Sequence, residues 1–494
     1  MKQNAVILST LLALTIFTED AGAQKRGGND YLNNCIEKQV DPLQRAYLQL
    51  TYRESENNLY HSSEPWQTAH YDRRGRVSCS RERFFREDTI SQKERNFATH
   101  IQYSPTELLK RPYWSEQIGN ATQNQLVEYP LSIAYYSPIP LLDYAQSRKV
   151  TPDKDSDPHF AIYSLKVGES TVRLYVGKSD RLLQKVTKSW NDGMLGDMTE
   201  TFIYTNFTTL KGLHYPQSIE VVKVHNIRDT VHISSANIVQ KISPLLEKPE
   251  DYTVEDKGEE IPELHVEKLS EHLYGLNLPQ AESRAILVEF KDFLMVVDVP
   301  FNSENGDLVL REAEKIAPGK PVRYFAFCHH HPWYLGGVRP FIHRGATVIC
   351  TEENLDYVRF LATAPHTIEP DSLQLNPSPL IAELVDSIMT ISDGEYEVKI
   401  CHIGKTSAHT SDYLIFYFPL EKIVVQGDLA WIPTEAPITK AGPRQVGLYN
   451  GIKEFGLEVE TILQTWPISE EPKVKSAFPF SDLEESIHLT EESH

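Results

Sequence analysis

The sequence has few cysteines, few long apolar runs and a deficit of positive charge. Of its 494 residues, 49 are lysine or arginine and 69 are aspartate or glutamate, which gives a net charge of −20. Such a charge repels the phosphate backbone, so nucleic acid is excluded as the expected partner. Glycine (24) and proline (30) are too scarce for a collagen-like or low-complexity chain. A hydrophobic share of 40% at this length predicts a globular protein of two or three domains.

Long apolar runs are confined to the first residues, where Ala5 to Phe17 form a run of 13. Lys2 precedes the run and small residues at 21–23 follow it, a pattern typical of a secretory signal with its cleavage site. The run is shorter than the roughly 20 residues that a membrane-spanning helix needs. We therefore expect residues 1–23 to be a signal peptide. The mature chain would be periplasmic or secreted, with no transmembrane segment.

Five cysteines remain after the signal, an odd number: Cys35, Cys79, Cys328, Cys350 and Cys401. In an oxidising compartment an odd count leaves at least one thiol unpaired or paired with another chain. No two of them have the C-x-x-C spacing. The sequence leaves their pairing and the oligomeric state open.

Alternating apolar and polar residues from Phe160 onward predict at least five antiparallel strands with one apolar face. We expect a curved sheet or half-barrel within a β-rich domain over residues 24–243. Residues 244–263 carry eight acidic residues and three prolines with little periodicity, which predicts a linker. From 264 to 494, apolar strands such as AILVEF and FLMVVDV alternate with helical segments. This pattern is typical of a layered α/β domain.

Polar residues with metal-binding chemistry follow several of these apolar strands. The strand YFAFC runs into His329-His330-His331, and residues two apart in an extended segment project to the same side. His329 and His331 can therefore face one metal ion while His330 points away, although a surface or packing role is equally compatible with this run alone. His409 precedes the strand YLIFYF, and Asp428 follows the strand IVVQ.

The order of these motifs resembles the metallo-β-lactamase superfamily, whose hallmark is H-x-H-x-D-H-x-G-G, then G-H-T, then G-D and a final histidine. The resemblance covers roughly residues 261–494 and implies an αββα sandwich behind the antiparallel sheet domain. It also implies that His329, His331 and His409 hold one zinc ion, with ring nitrogens about 3 to 4 Å apart. The segment TFIYTNFTTLKGLHYPQSIEVV resembles the half-barrel of periplasmic lipoprotein carriers. That sheet would hold a lipid-like ligand or dock on the second domain, and we favour docking.

Departures from the family pattern remove its second metal site. Trp333 and Tyr334 stand where the family has Asp and His, and Phe478 lies near the place of the final histidine. The two aromatic residues either plug the vacated site or form a wall for an apolar substrate. Asp428 bridges two metals in family members. Here it would bind the single ion, orient and activate water as a catalytic group, or merely cap its loop.

The resemblance implies an exported, mononuclear zinc hydrolase that activates water to attack an ester, thioester or amide bond. The substrate would be a small or lipid-like molecule, and neither its identity nor the general acid can be assigned. The alternative is a degenerate member of the fold that serves as a binding or cell-envelope interaction protein. Asp371, in a Pro-Asp element, resembles a feature of some exported family members, and turn formation explains it equally well.

Overall fold

The computed structural model describes residues 31–59, 62–92, 95–112, 115–148, 150–153, 157–256, 262–468 and 473–491. The predicted signal peptide at 1–23 lies outside the described residues. Within the ranges given, no helix is both long enough and apolar enough to cross a membrane.

The first domain is built on one antiparallel sheet that has twelve strands within the described ranges. The strands follow the order β5-β4-β3-β2-β1-β13-β12-β11-β10-β9-β8-β7, and a short parallel pair, β6 with β14, lies beside the sheet. The elements are α1 Tyr31–Gln39, β1 Tyr47–Asn58, β2 Ala69–Cys79, β3 Phe84–Gln92, β4 Arg95–Ser104, β5 Glu107–Arg111, β6 Ala121–Thr122, α2 Gln123–Ile133, α3 Ile139–Gln146, β7 Thr151–Pro152, β8 Phe160–Val167, β9 Ser170–Gly177, β10 Leu183–Asp192, β11 Gly196–Leu210, β12 Leu213–Val222, β13 Arg228–Val239 and β14 Val254–Glu255.

The helices α1, α2 and α3 pack against the apolar face of this sheet. Alternate residues of its strands, such as Val172 and Leu174 of β9, are fully buried in one core with residues of the three helices. The Tyr204 hydroxyl of β11 donates a hydrogen bond to the carbonyl of Ala134, just after α2 (3.0 Å). This face therefore packs against the domain's own helices, which differs from the docking on the second domain that we expected.

Strands β1 to β5 lie in a region where the sequence did not predict strands. In β2 the residues from Ala69 to Arg76 are exposed or half-buried and mostly polar, so the apolar alternation that marks a strand is missing. Ion pairs between strands take its place: Arg73 of β2 donates to Glu56 of β1 (2.8 Å). Cross-strand charge pairs stabilise a sheet without an apolar pattern.

The acidic segment predicted as a linker is packed against the first domain in its first half. Leu246 and Tyr252 are buried in the core of that domain. The Tyr252 hydroxyl accepts a hydrogen bond from the Leu108 amide (3.0 Å) and donates one to the Leu108 carbonyl (3.3 Å). Strand β14 then pairs with β6. Apolar residues inside the acidic stretch thus extend the first domain beyond residue 243.

The second domain contains, among its described residues, a seven-stranded sheet in the order β15 to β21 and a six-stranded sheet in the order β22 to β27. Its elements are β15 His265–Lys268, β16 Leu273–Leu278, β17 Ser283–Glu289, β18 Leu294–Val297, α4 Ser303–Ile316, β19 Val322–Ala326, α5 Pro332–Leu335, α6 Arg339–His343, β20 Thr347–Cys350, α7 Glu352–Thr363, α8 Ser372–Leu375, β21 Ile381–Leu384, β22 Ile388–Ser392, β23 Glu397–His402, β24 Leu414–Phe418, β25 Ile423–Gln426, α9 Pro443–Glu454, β26 Thr461–Gln464, β27 Ala477–Pro479 and α10 Phe480–Glu491.

The two sheets share one hydrophobic core that includes Ile286 of β17, Val296 of β18, Phe416 of β24 and Val425 of β25, all fully buried. Helix α6 contacts both α4 and α7, and α9 contacts α10. Strands covered on both faces read as nearly continuous apolar runs, which is why AILVEF and YLIFYF could be recognised. The predicted αββα sandwich behind an antiparallel sheet domain is confirmed.

All five cysteines are buried free thiols: Cys35, Cys79, Cys328, Cys350 and Cys401. Burial raises the pKa of the Cys79 thiol to about 11 and that of Cys350 to about 12. Thiols that are buried and protonated are weak nucleophiles. Although the number of these cysteines is odd, none of the five is an exposed, reactive thiol.

The two domains meet through several segments of the first domain, two of which make closely fitted contacts. In the loop between β1 and β2, Trp66 stacks on His225 (ring centroids 3.6 Å) and meets the ring of Tyr357 edge-on (4.8 Å). At the start of β11, the Asp197 carboxylate accepts hydrogen bonds from the backbone amides of Thr367 (3.0 Å) and Ile368 (2.9 Å). Both contacts lie against the loops and helix that follow β20.

A buried ion pair fixes the loop that follows α7. Arg339, 1% exposed, donates two hydrogen bonds to the Asp371 carboxylate (2.6 and 3.0 Å). Asp371 also accepts from the Gln374 amide and so caps α8 (2.8 Å). Burial alone would raise the pKa of Asp371, but these bonds and one from Ser303 hold that pKa well below its usual range. In the structure, Asp371 therefore has a structural role, in the ion pair with Arg339 and in the cap of α8. This agrees with the interpretation of the Pro-Asp element as a turn.

We expect Asp371→Asn to lower the free energy of unfolding by about 3 to 5 kcal/mol, because it keeps the helix cap but leaves the Arg339 charge buried and unpaired. A carboxyl whose folded-state pKa is depressed contributes its full stability above its unfolded pKa of about 3.9, and the contribution is progressively lost as pH falls from that value toward the lower pKa of the folded state. Urea unfolding between pH 7 and 3 measures both effects. The difference between wild type and variant should shrink toward pH 3.

Asp356→Asn is the matched control, since that carboxylate is 92% exposed and pairs with Arg359 at the surface. It should change the free energy of unfolding by less than about 0.5 kcal/mol. Equal effects of the two substitutions would contradict the assigned importance of the buried pair.

Candidate metal site

A buried carboxylate joins the ends of three strands at one edge of the sandwich. Asp298, directly after β18, accepts hydrogen bonds from the Cys328 amide (2.7 Å), the Cys328 thiol (3.1 Å) and the Thr465 hydroxyl (2.8 Å). Cys328 follows β19 and Thr465 follows β26. Burial raises the pKa of Asp298 to about 7, although these bonds oppose the shift. The segment that begins at His329 is anchored here.

His329, His331 and His409 converge beyond this junction. Among the residues that the structure describes, they form the one group of three or more His, Cys, Asp or Glu side chains close enough to hold a metal ion, with ligand atoms within 4.8 Å of one another. His329 Nε2 lies 3.0 Å from His331 Nδ1. Ligands about 2.1 Å from one ion are at most about 4.2 Å apart, so a small side-chain movement would complete the site.

The first domain fixes the orientation of His331. His331 Nε2 lies 3.0 Å from the carbonyl oxygen of Ser62, in the loop between β1 and β2. A carbonyl only accepts, so Nε2 carries the hydrogen and Nδ1 presents a lone pair toward the other two histidines. An outer hydrogen bond of this kind selects the tautomer that a metal ligand needs.

His329 and His331 are uncharged in their buried setting. Burial, followed by the neighbouring imidazoles, lowers the pKa of His331 to about 3 and that of His329 well below its usual value. His329 Nδ1 is buried without a hydrogen-bond partner among the described residues, and the side chain of His409 is 3% exposed, with its Nε2 3.1 Å from a carboxylate oxygen of Asp428. Neutral imidazoles with unused nitrogens are the donor set that zinc takes from protein side chains, so the residues fit a metal ion.

A short turn presents His409. The backbone passes through Gly404–Ser407 in a 3-10 turn, and Ala408 takes the left-handed conformation (φ 53°). The Ser407 hydroxyl accepts a hydrogen bond from the His409 amide (3.1 Å) and donates one to the Thr410 carbonyl (3.1 Å). These contacts fix the backbone on both sides of the imidazole.

Asp428 lies beside the three histidines and is held on both oxygens. Its Oδ2 is 3.1 Å from His409 Nε2 and accepts a hydrogen bond from Arg444 (3.0 Å), while its Oδ1 accepts from the Tyr413 hydroxyl (3.2 Å). Burial alone would raise the pKa of Asp428, but His409 and Arg444 keep that pKa below its usual range. A Cβ on Gly427 would stand 2.7 Å from the Tyr413 oxygen, so this approach requires glycine there.

His330 points away from this cluster, as the alternation predicts. Its Nδ1 faces the Asp412 carboxylate (3.1 and 3.2 Å), which also accepts hydrogen bonds from the His330 amide (2.8 Å) and from Asn354 (2.7 Å). Burial alone would raise the pKa of Asp412, but the hydrogen bonds that the carboxylate accepts outweigh burial and hold its pKa below the usual range.

The two aromatic residues of the first motif take different places. Tyr334 is 2% exposed and its ring lies 4.2 Å from that of His329, beside Asp428 and Tyr413, so it fills space next to the cluster. Trp333 is only partly buried and lies against Phe301 (5.5 Å) and Trp466 (5.8 Å). Tyr334 thus acts as a plug, and Trp333 forms part of an aromatic wall.

Phe478 lies away from this edge, in core strand β27, where it pairs with Ile462. Trp466, just after β26, is the residue that reaches Trp333.

Sequence reasoning missed Tyr413, Asp412 and Arg444. Tyr413 and Asp412 follow His409 within four residues, so their proximity was a usable signal. Arg444 stands in the first turn of α9, where a cation opposes the helix dipole. This electrostatically unfavourable position was the one local signal in the sequence that Arg444 does something other than stabilise its helix.

Comparison with known proteins agrees with this fold. No family model matches the chain. A curated relative, the metallo-β-lactamase type 2 of Elizabethkingia meningoseptica, is 24% identical over 176 residues, which are 34% of this chain and 64% of that protein. The match thus spans less than two thirds of the relative's length.

Solved structures similar to the chain include two metallo-β-lactamases. That of Pontibacter korlensis gives a TM-score of 0.34 at 15% identity and covers 46% of this chain and 99% of its own. FIM-1 of Pseudomonas aeruginosa, in its mono-zinc form, gives a TM-score of 0.33 at 18% identity. That match covers 48% of this chain and 98% of the FIM-1 chain. The αββα sandwich and the order of the strand-end motifs give the second domain the metallo-β-lactamase fold, and its sequence is similar to that of the curated relative.

We expect the purified protein, supplied with zinc and freed of excess ion, to retain about one equivalent. His331→Ala and His409→Ala should each lose most of it, because two imidazoles bind zinc far more weakly than three. Plasma mass spectrometry measures the metal content. Thermal unfolding gives a second readout, since an ion at 100 times its Kd stabilises the folded state by about 2.7 kcal/mol.

His343→Ala is the matched control, because His343 lies on α6 and contacts the Asn376 carbonyl near the surface. It should leave the metal content unchanged. Wild-type protein that holds no metal after zinc is supplied would contradict the site and favour a non-catalytic binding module.

Proposed function

We propose that the second domain is a mononuclear metal-dependent hydrolase that promotes attack of water on an ester, thioester or amide bond of a small molecule. The observation that carries the proposal is the buried cluster of His329, His331 and His409 with Asp428 against it. A zinc ion held by these histidines would polarise a substrate carbonyl and bring the pKa of water close to 7.

In this proposal Asp428 accepts a proton from the attacking water. Its ionised carboxylate lies next to His409, and each oxygen keeps a further lone pair after the bonds from Tyr413 and Arg444. Those two donors fix the carboxylate in one orientation, which raises the efficiency of proton transfer. Arg444 also brings a permanent positive charge beside the Asp428 carboxylate.

The proposal includes export of the chain. Its support is the pattern of Lys2, the apolar run from Ala5 to Phe17 and the small residues at 21–23. The amino terminus of the secreted or periplasmic product, read by Edman degradation, should lie near Gln24. Retention of the full sequence in the cytoplasmic fraction would contradict export and leave the hydrolase proposal intact.

We expect Asp428→Asn to keep the fold and most of the metal affinity but to lower kcat by about 10² to 10⁴, because the amide preserves size and hydrogen bonding while removing the base. Turnover is measured on the best substrate from a panel of 4-nitrophenyl esters, thioesters and 4-nitroanilides, with metal content determined on the same samples. Asp72→Asn, at a surface carboxylate that is 70% exposed, is the matched control and should match wild type.

Two other outcomes would revise the role of Asp428. Parallel loss of metal and activity, partly restored by added zinc, would make Asp428 a direct ligand. Full activity with full metal content would reduce it to a loop residue and remove the proposed base.

A further inference from the structure

The segment from Arg73 to Arg86 contains six arginines, which the structure places in different surroundings. Arg73 and Arg86 point to the inner face of the sheet, where Arg73 pairs with Glu56 and Arg86 with Asp88. Arg74 lies on the outer, exposed face, because successive side chains of a strand alternate between the two faces. It has no hydrogen bond or ion pair with any residue that the structure describes. Pairing within the sheet therefore leaves Arg74 unexplained.

Arg74 stands directly opposite a second arginine. The register pairs Arg74 of β2 with Arg53 of β1, and Arg53 in turn with His232 of β13. Arg53 is also exposed and without an ion pair among the described residues, and we call Arg53 and Arg74 the opposed arginines. Side chains in such positions have Cβ atoms about 4.5 to 5.5 Å apart, and like charges there destabilise a sheet. An anion from outside the chain would relieve this repulsion.

A groove of about 480 Å³ lies over the opposed arginines, on the outer face of strands β1 to β4. We call it the arginine groove. Short side chains keep it open between longer ones, and its lining includes Thr51, Arg53, Arg74, Arg76, Thr89 and Ala98. The helices of the first domain pack on the other face of this sheet, so the groove opens to solvent.

The acidic residues near the arginine groove do not neutralise it. Glu87 lies 3.7 Å from Arg76, the third arginine of the lining. Asp88 is 4% exposed, and its carboxylate is engaged on the inner face of the sheet. Asp72, further along β2, lies 3.5 Å from His70. The two charges of the opposed arginines therefore remain available to a ligand.

A phosphomonoester matches these charges better than a carboxylate or a phosphodiester does. Guanidinium groups donate paired N–H bonds to the oxygens of all three. A phosphomonoester carries about −1.5 to −2 charges at pH 7, whereas the other two carry a single negative charge. The net charge of −20 opposes long polyanions. At physiological salt, however, exposed charges more than about 8 Å apart are largely screened, so a single phosphate group responds mainly to the nearby arginines.

We propose that the arginine groove binds the phosphomonoester group of a small molecule or of a lipid headgroup, with Arg53 and Arg74 donating hydrogen bonds to its oxygens. The groove belongs to the first domain, so this binding goes beyond the proposed hydrolase and needs neither metal nor turnover.

The test compares phenyl phosphate, a monoester, with methyl phenyl phosphate, the corresponding diester. Isothermal titration calorimetry on the purified wild-type protein should show the monoester binding about tenfold more tightly, because only the monoester brings a second negative charge to the two guanidinium groups. Equal binding of the two probes, or no binding of the monoester at millimolar concentration, would overturn the proposal.

Arg53→Gln and Arg74→Gln should each weaken the binding of phenyl phosphate about tenfold, since each removes one charged donor. Their urea unfolding midpoints should equal or exceed that of wild type, because each substitution also removes the repulsion between the opposed arginines. A lower midpoint with unchanged affinity would make the two arginines structural and overturn the proposal.

Arg83→Gln is the matched control. Arg83 is an exposed arginine in the turn between β2 and β3, and its side chain has no ion pair among the described residues. This substitution removes the same charge outside the groove and should leave the affinity for phenyl phosphate unchanged. An equal loss in Arg83→Gln and Arg74→Gln would show that net charge alone sets the affinity, which would also overturn the proposal.

Vesicles distinguish the two sources of the phosphomonoester. Sedimentation of wild type with phosphatidylcholine vesicles that contain phosphatidic acid, lost in Arg74→Gln and absent with phosphatidylglycerol, would support the groove and assign the group to a membrane lipid. Selective binding of phenyl phosphate without sedimentation on either kind of vesicle would support the groove and assign the group to a soluble molecule.

Discussion

The candidate site depends on one buried carboxylate. Asp298 has hydrogen bonds from the segments that follow β19 and β26, so the loop with His329 and the end of the second sheet are held together at a fixed distance. A buried acidic group is tolerated only where donors surround it, and here the donors belong to the strand ends that must meet. Without this junction, the segment that carries His329 and His331 would lose its anchor to the end of the second sheet.

The fold and the three histidines were predictable because their signals are local. Strands covered on both faces are continuous apolar runs, and alternation along an extended segment separates His329 and His331 from His330. The family resemblance then supplied the order in which such strand ends meet. The resemblance could not predict where the side chains of Trp333 and Tyr334 lie. Contacts with distant segments place Tyr334 in the space beside the histidines and Trp333 in an aromatic wall, although the two residues are neighbours of similar polarity.

The remaining features depend on pairs far apart in sequence. Asp412 meets His330 across 82 residues, and no periodicity marks either as a partner of the other. Strand β2 was missed for a different reason: its cross-strand contacts include ion pairs such as Arg73 with Glu56, and charge pairs leave no apolar alternation. The first half of the acidic segment was assigned by its composition, whereas Tyr252 within it determines where it packs.

The hydrogen bond between Ser62 and His331 joins residues 269 positions apart in the sequence. It connects the loop between β1 and β2 of the first domain to the segment that follows β19 in the second. The hydrogen bond that favours the ligand tautomer of His331 therefore exists only where both domains are folded and docked. A truncated chain without the first domain would lack it, so the candidate site is a property of the assembled protein and not of the second domain alone.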